Sequence, residues 1–323
     1  MTVLIELKDI KMHFKVRKGW FSTLDLKAVD GVSISIGRGN TIGVVGESGS
    51  GKTTLGRVSL RLLDPTAGKV VFDGKDVTEI KESKLKWFRR EAQGIFQDPY
   101  SSLNPYMTVE RILEEPLVLH KIGSHGEHEE MIDKALTDVK LTPTEEFARK
   151  YPHMLSGGQR QRVGVARSLI LSPNYIVADE PVSMIDASSR VEVLSLLRGL
   201  QEKYQIGFMY ITHDIATSKY FSERIAVMYL GRIVEFAEAK IVIEEPLHPY
   251  TQALIAAVPD PDPNNRLHDR SVVPGEPPNP INVPSGCRFH PRCPRFMKNK
   301  CEIEEPELRE VKPGHQVACY LYY

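Results

Sequence analysis

The chain is expected to adopt an α/β fold, on three observations. Short, largely apolar runs occur at Thr41-Ile42-Gly43-Val44-Val45, Tyr175-Ile176-Val177-Ala178 and Phe208-Met209-Tyr210-Ile211. Runs of this length suit strands buried on both faces of a parallel sheet. Helical patterns such as residues 191–202 lie between them, and this alternation of strands with helices marks the class. Each run also leads into polar or glycine-rich residues, and ligands of α/β proteins gather at such strand ends.

The remaining elements can be placed in order. Residues 3–16 and 28–36 alternate enough to read as strands, and 54–63 reads as a helix following a glycine-rich loop. The stretch from about 100 to 156 is richer in charge, with helices expected near 109–120 and 129–139, and reads as an inserted helical subdomain. From Pro259 to Pro284 there are eight prolines in 26 residues, a linker composition rather than an element. The division expected is therefore a main domain over 1–245 and a C-terminal extension over 246–323, with all four cysteines in the latter.

Bulk composition narrows the function. Lys plus Arg and Asp plus Glu are both 42, so the 323-residue chain is neutral, which argues against a dedicated nucleic-acid binder. Residues 1–11 carry Glu6 and Asp9 and lack the continuous apolar core of a signal peptide. No stretch approaches the roughly 20 apolar residues that span a bilayer. A cytoplasmic protein is expected, with any membrane attachment supplied by partner subunits.

Gly46-Glu47-Ser48-Gly49-Ser50-Gly51-Lys52-Thr53 is a complete phosphate loop. Its glycines let backbone N–H groups converge on phosphates, Lys52 neutralises charge, and the Thr53 hydroxyl can ligate Mg²⁺. Thr54 continues the site into the helix. Leu155-Ser156-Gly157-Gly158-Gln159 opens a second helix, with Ser156 suited to cap it and the glycines baring its positive end. Asp179 ends a buried strand, where an ionised carboxylate is costly without compensation, and Mg²⁺ is the natural partner. Glu180, one residue on, can orient or deprotonate a water. His213 ends another strand, although a lone histidine is more often structural.

These motifs, in this order, resemble the ATP-binding subunits of ABC transporters. The resemblance implies a P-loop ATPase with a RecA-like parallel-sheet core, an antiparallel β subdomain and a helical subdomain. It further implies roles for particular residues: Glu180 as catalytic base, His213 as the switch histidine, Gln97 as the Q-loop glutamine sensing Mg²⁺ and water, and Asp186 as the D-loop aspartate. Phe14 would stack on adenine, against the plainer alternative of a core phenylalanine. Residues 155–159 would face the ATP bound by the opposite subunit, so that two ATPs are sandwiched in a head-to-tail dimer.

"VGESGSGKTTLGR", "LRLLDPTAGKVVFDGKD", "FQDPYSSLNP" and "HPYTQALIAAVP" resemble the branch that imports peptides, nickel or oligosaccharides, and its second ATPase subunit in particular. That implies a sister ATPase, two permease subunits that dock near 100–118, and an extracytoplasmic solute-binding protein. "DEPVSMID" departs from the commoner DEPTSALD and is associated here with oligosaccharide carriers. A soluble ABC ATPase acting on nucleic acid or the ribosome is the alternative; such proteins carry two cassettes and CxxC runs, and this chain has neither.

Cys287, Cys293, Cys301 and Cys319 are separated by five, seven and seventeen residues, with no CxxC pair. The spacing and "PSGCRFHPRCP" resemble the branch's C-terminal [4Fe–4S] segment. Arg288, Arg292, Arg295, Lys298 and Lys300 lie among the first three cysteines with no acid, a charge that suits an anionic cluster. Zinc and unligated thiols are the alternatives. The extension is expected to lack a large apolar core of its own, and the phosphate loop to belong to the other domain.

Overall fold

The computed structural model describes residues 2–18, 22–98, 103–258, 275–276 and 278–323. In chain order the elements begin with β1 (Val3–Lys18), β2 (Ser22–Gly37), β3 (Thr41–Val45), α1 (Lys52–Ser59), β4 (Ala67–Phe72), β5 (Lys75–Asp76), α2 (Lys86–Glu91) and β6 (Ala92–Ile95). Next come α3 (Val109–His120), α4 (His125–Asp138), α5 (Thr144–Ala148), α6 (Gly157–Leu169), β7 (Tyr175–Asp179), α7 (Ala187–Tyr204) and β8 (Gly207–Thr212). The chain continues through α8 (Ile215–Phe221), β9 (Arg224–Tyr229), β10 (Arg232–Glu238), α9 (Ala239–Glu244), α10 (Pro249–Ala256), β11 (Arg309–Lys312) and β12 (His315–Val317). Mixed parallel and antiparallel pairing with interleaved helices makes the fold α/β, as expected. Two compact units are present: residues 1–5, 36–40 and 72–209, and residues 6–35, 41–71 and 210–323.

In the first unit, β6 pairs in parallel with β7, from Ala92 opposite Tyr175 to Ile95 opposite Ala178. All five residues of β7 are buried, the signature of a strand covered on both faces. The helices 109–120 and 125–138 bury one apolar face each, through Ile112, Leu113 and Leu117 and through Ile132, Ala135 and Leu136. The latter helix begins at His125, four residues earlier than the apolar pattern indicated. A capping box explains the difference: Glu127 Oε2 accepts from the Ser124 N–H at 2.6 Å and from its hydroxyl at 2.8 Å.

In the second unit the strand order is β11-β12-β10-β9-β3. Strand β3, buried throughout, runs parallel to β9 with Ile42 opposite Arg224 and Val45 opposite Val227. A two-residue turn at Leu230-Gly231, both with positive φ (43° and 80°), folds β9 back onto β10, as a type I′ hairpin requires. The same turn serves its neighbours, since Gly231 N–H donates to Ser50 C=O at 2.9 Å and Asp30 N–H donates to Gly231 C=O at 3.0 Å.

The helix after the phosphate loop is shorter than the apolar run suggested, ending at Ser59 rather than Leu63. Arg61 takes a left-handed φ of 54°, its N–H donates to Val58 C=O and Leu62 N–H donates to Arg57 C=O. That pair of bonds is a Schellman ending, and it closes the helix whatever the apolar content beyond.

The C-terminal segment is built into this second unit. Strand β12 pairs antiparallel with β10, Glu235 opposite Val317, and Phe289 packs with Tyr229, Tyr250, Val227 and Val234 in one buried cluster. Glu235, fully buried, accepts from the Leu247 and His248 N–H groups at 2.8 and 2.9 Å, and His315 Nε2 lies 2.7 Å from it. Three partners offset the cost of burying that carboxylate. Of the proline-rich linker, residues 259–274 and 277 lie outside the described residues, as do residues 99–102 of the expected docking region.

Candidate nucleotide and cysteine sites

Two glycines of the phosphate loop are demanded by close backbone approach. A Cβ on Gly46 would meet Met228 O at 2.2 Å, and one on Gly51, where φ is 103°, would meet Ala28 O at 2.1 Å. Lys52 is buried at the start of α1, its ammonium donating to the Gly46 and Glu47 carbonyls at 2.8 Å each and to Ser50 Oγ at 3.4 Å. Ser48 and Gly49 are exposed, whereas Thr53 and Thr54 are half-buried. Buried anchoring of the lysine with an open loop crest suits a polyphosphate approaching from solvent. His213 belongs to the same unit and is exposed. Asp214 fixes the turn beside it by accepting from Ala216 N–H at 2.9 Å and Thr217 N–H at 3.4 Å. Phe14, on β1, is half-buried and absent from the buried core.

The first unit gathers the other expected residues. Asp179 is the buried last residue of β7, and Gln97 Nε2 donates to Glu180 Oε2 at 3.0 Å. Glu180 adopts φ 47°, a left-handed conformation that costs a non-glycine residue about 1 kcal/mol or more and persists where surroundings enforce it. Its carbonyl accepts from Ser183 N–H and Oγ, which locks that bend.

Ser156 caps α6, and the cap is reciprocal: Gln159 N–H donates to Ser156 Oγ at 3.2 Å, while Ser156 N–H donates to Gln159 Oε1 at 3.0 Å. The Ser-x-x-Gln spacing is itself a capping-box signature, a signal present in the sequence that explains the fifth residue of the motif. Leu155 is buried, Ser156 exposed, and Gly158 would bring a Cβ within 3.2 Å of Ser189 Oγ. Asp186 caps α7, accepting from Ser189 N–H at 3.0 Å, and the Ser188 hydroxyl bonded to it holds its carboxyl below the usual range.

The four cysteines are free thiols that line one small cavity together with His248, Phe289 and Tyr320. Burial pushes the Cys287 thiol up to about 12 and Cys319 to about 11, and raises Cys293 as well. Buried thiols ionise when a cation takes the protons' place. Among the described residues Glu114, His125 and His128 also bring their ligand atoms within 4.8 Å of one another.

Contacts that no motif announces join this segment to the phosphate loop within the second unit. Arg292 makes a two-pronged bond to Glu47, at 2.9 and 3.1 Å, and Tyr250 Oη accepts from Glu47 N–H at 2.8 Å. Arg288, 6% exposed, donates to Asp30 Oδ2 and Leu230 C=O, and to Glu305 Oε1 at 2.8 Å. Within this unit the tail is therefore bonded directly to the phosphate loop. Although Asp30 is desolvated, its bond to Arg288 prevails and holds its carboxyl down at about 2, below the ordinary 3.8. A depressed carboxylate contributes stability fully above the unfolded value, and that contribution fades as pH falls from about 4 towards 2. Asp30→Asn should cost about 3 kcal/mol at neutral pH, by leaving a buried guanidinium short of one of its two carboxylates. Urea unfolding of both proteins at pH 7 and pH 3 checks this, and the gap between them should narrow at the lower pH.

A family model described as ABC transporter matches residues 29–183, and one described as oligopeptide/dipeptide transporter, C-terminal region, matches 234–301. The chain is 45% identical to the oligopeptide transport ATP-binding protein AppF of Bacillus subtilis over 323 residues, 99% of this chain and 97% of that one. Among solved structures, the dimeric cassette MJ0796 with ADP and Pi is 28% identical at a TM-score of 0.64, covering 73% of this chain and 99% of its own. CbiO1 from Clostridium perfringens, part of a cbiONQ transporter complex, is 25% identical at a TM-score of 0.65, covering 76% and 92%. A phosphate loop, a capped signature helix and a cysteine-bearing tail, matched over nearly full length, place this chain among the ATP-hydrolysing ATP-binding proteins of ABC transporters, in the group with an oligopeptide/dipeptide C-terminal region.

Proposed function

We propose that the chain energises import of oligopeptides, as one of two ATPase subunits on the cytoplasmic face of a membrane complex. The observation that carries this is the full-length likeness to an oligopeptide transport ATP-binding protein, spanning the cassette and the cysteine tail alike. The relative's name favours peptides over the short oligosaccharides suggested by "DEPVSMID". It also disfavours a soluble protein acting on nucleic acid. Among the described residues no helix is long and apolar enough to cross a membrane, so permease subunits would provide the path. A sister ATPase is favoured as dimer partner, with a solute-binding protein delivering cargo.

In this reading the phosphate-loop residues 46–54 hold the β- and γ-phosphates, and Phe14 offers a partly open ring to adenine. Thr53, Gln97 and Asp179 are the side chains suited to Mg²⁺, which would neutralise phosphate charge. Glu180, steadied by Gln97 and by its locked backbone, orients the attacking water and takes its proton, and His213 contacts the γ-phosphate. Residues 155–159 present the positive end of α6 to the ATP of the opposite subunit, and Asp186 stiffens the neighbouring loop. The complex reconstituted in liposomes should hydrolyse ATP faster with peptide-loaded binding protein; stimulation by oligosaccharide alone would overturn the cargo assignment.

The cysteine quartet is assigned to a structural [4Fe–4S] cluster, on the shared cavity that the four thiols line and the arginine-rich segment between them. Anaerobically purified protein should be brown, with iron and sulfide in about 4:4 proportion per chain. Cys293→Ser should bleach it and leave residues 288–323 sensitive to protease, because ligation contributes folding energy. Colourless protein with one equivalent of zinc would sink the cluster.

A further inference from the structure

Glu47 occupies an unusual position for a phosphate-loop residue. Its carbonyl is one of the oxygens that anchor the Lys52 ammonium, at 2.8 Å, while its side chain and its N–H both face the C-terminal segment. Arg292 grips the carboxylate with both prongs and also lies 3.4 Å from Tyr229 Oη. The grip is sheltered: Arg292 is 8% exposed and lies beside Tyr229, whose ring packs with those of Tyr250 and Phe289 at 4.6 and 5.3 Å. A two-pronged guanidinium–carboxylate pair is directional as well as strong, so it fixes where Glu47 sits rather than merely attracting it.

Sequence position supplies the second half. Arg292 immediately precedes Cys293, and Arg288 immediately follows Cys287. The two cysteines line the sulfur cavity, while the two arginines reach Glu47 and Asp30. The His290 N–H donates to Cys287 C=O at 2.9 Å, Arg292 N–H to Phe289 C=O at 3.0 Å and Cys293 N–H to His290 C=O at 3.3 Å, so the segment between the cysteines is a short, internally bonded brace. Whatever orders the cysteines at one end therefore aims the arginines at the other.

We propose that Arg292 is a positioning residue for nucleotide binding, acting through Glu47 on the carbonyls that hold Lys52, and that the state of the cysteine site sets this grip. Only the second clause rests on the cluster reading. Loss of ligation would loosen 287–293, release Glu47, and weaken the affinity of the phosphate loop for ATP. Lysine at 292 could supply charge but only one prong, so it should restore part of the effect.

The test is a double-mutant cycle on full-length protein, with MgATP affinity read by calorimetry and the visible spectrum and melting temperature followed in parallel. Arg292→Ala and Glu47→Gln should each weaken MgATP binding by roughly two- to thirtyfold, the range of couplings carried by such contacts. The double variant should be no worse than either single one, and Arg292→Lys should fall between wild type and Arg292→Ala, with the spectrum little changed and the affinities compared at a temperature well below every melting point. Unaltered affinity in Arg292→Ala, or strictly additive losses, would overturn the positioning role. Cys293→Ser should weaken MgATP binding by the same factor as Arg292→Ala and not add to it. If Cys293→Ser bleaches the protein while affinity holds, the link to the cysteine site is overturned and the Arg292 role stands. If wild-type protein is colourless, the cluster reading fails by that measurement alone, and the Arg292–Glu47 cycle still decides the positioning role by its own affinities.

Discussion

On the role of general base proposed for Glu180, Glu180→Gln is expected to slow ATP hydrolysis by about 10²–10⁴ while leaving ATP affinity nearly unchanged. Glutamine keeps the size of the side chain and an oxygen able to accept from Gln97 Nε2, now 3.0 Å from the carboxylate. It also imposes no new penalty on the left-handed backbone at 180, because neither residue is β-branched. The ATP-bound dimer, no longer dissolved by hydrolysis, should persist long enough to isolate by size exclusion. Phosphate release measured in the assembled complex decides the matter, and near-normal turnover would remove Glu180 from the role of base.

Ser156→Arg should lower hydrolysis by about 10²–10³, the effect typical of removing preorganised donors from a site of developing charge. Two consequences of the substitution act together. The cap bond from Gln159 N–H to the serine hydroxyl is lost, at about 1 kcal/mol, while the bond from the residue-156 backbone N–H to Gln159 Oε1 needs no serine side chain. A bulky side chain then stands over the exposed start of α6, where Ser156 leaves it open. ATP binding by the isolated subunit should be unaffected, because Lys52 and its loop carbonyls are untouched. Ser156→Thr, which retains a capping hydroxyl, should keep most of the activity. Loss of ATP binding in the arginine variant would place Ser156 on its own chain's nucleotide instead.

Local chemistry was legible in the sequence where it repeats a short-range rule. Fully buried runs such as 41–45 and 175–179 read correctly as strands, since continuous apolar character needs no partner to be recognised. Helix ends were less legible, and for a definite reason. At Arg61 a left-handed residue other than glycine stops the helix, and at Ser124 a capping box starts one before its apolar face begins. The pairing of β12 with β10 was hidden by distance and by the polar look of His315-Gln316-Val317, whose histidine is buried against Glu235. Least legible was the Arg292–Glu47 bond, between residues 245 positions apart. Neither residue type is unusual in its own motif, and only the folded chain brings them together.

The strand pairing at the C-terminus also bears on how this protein behaves in crowded solution. Hairpin β11–β12 lies along β10, whose outward N–H and C=O groups would otherwise form a long open margin. Such a margin is a template on which other chains add strands and precipitate. The strand that replaces it at the border is four residues long and carries Arg309, Glu310 and Lys312 facing solvent. Short length and dense charge are what discourage further pairing. The cysteine-bearing tail thus acts as a guard against self-association, and a chain cut back to the cassette would lose that guard together with its sulfurs.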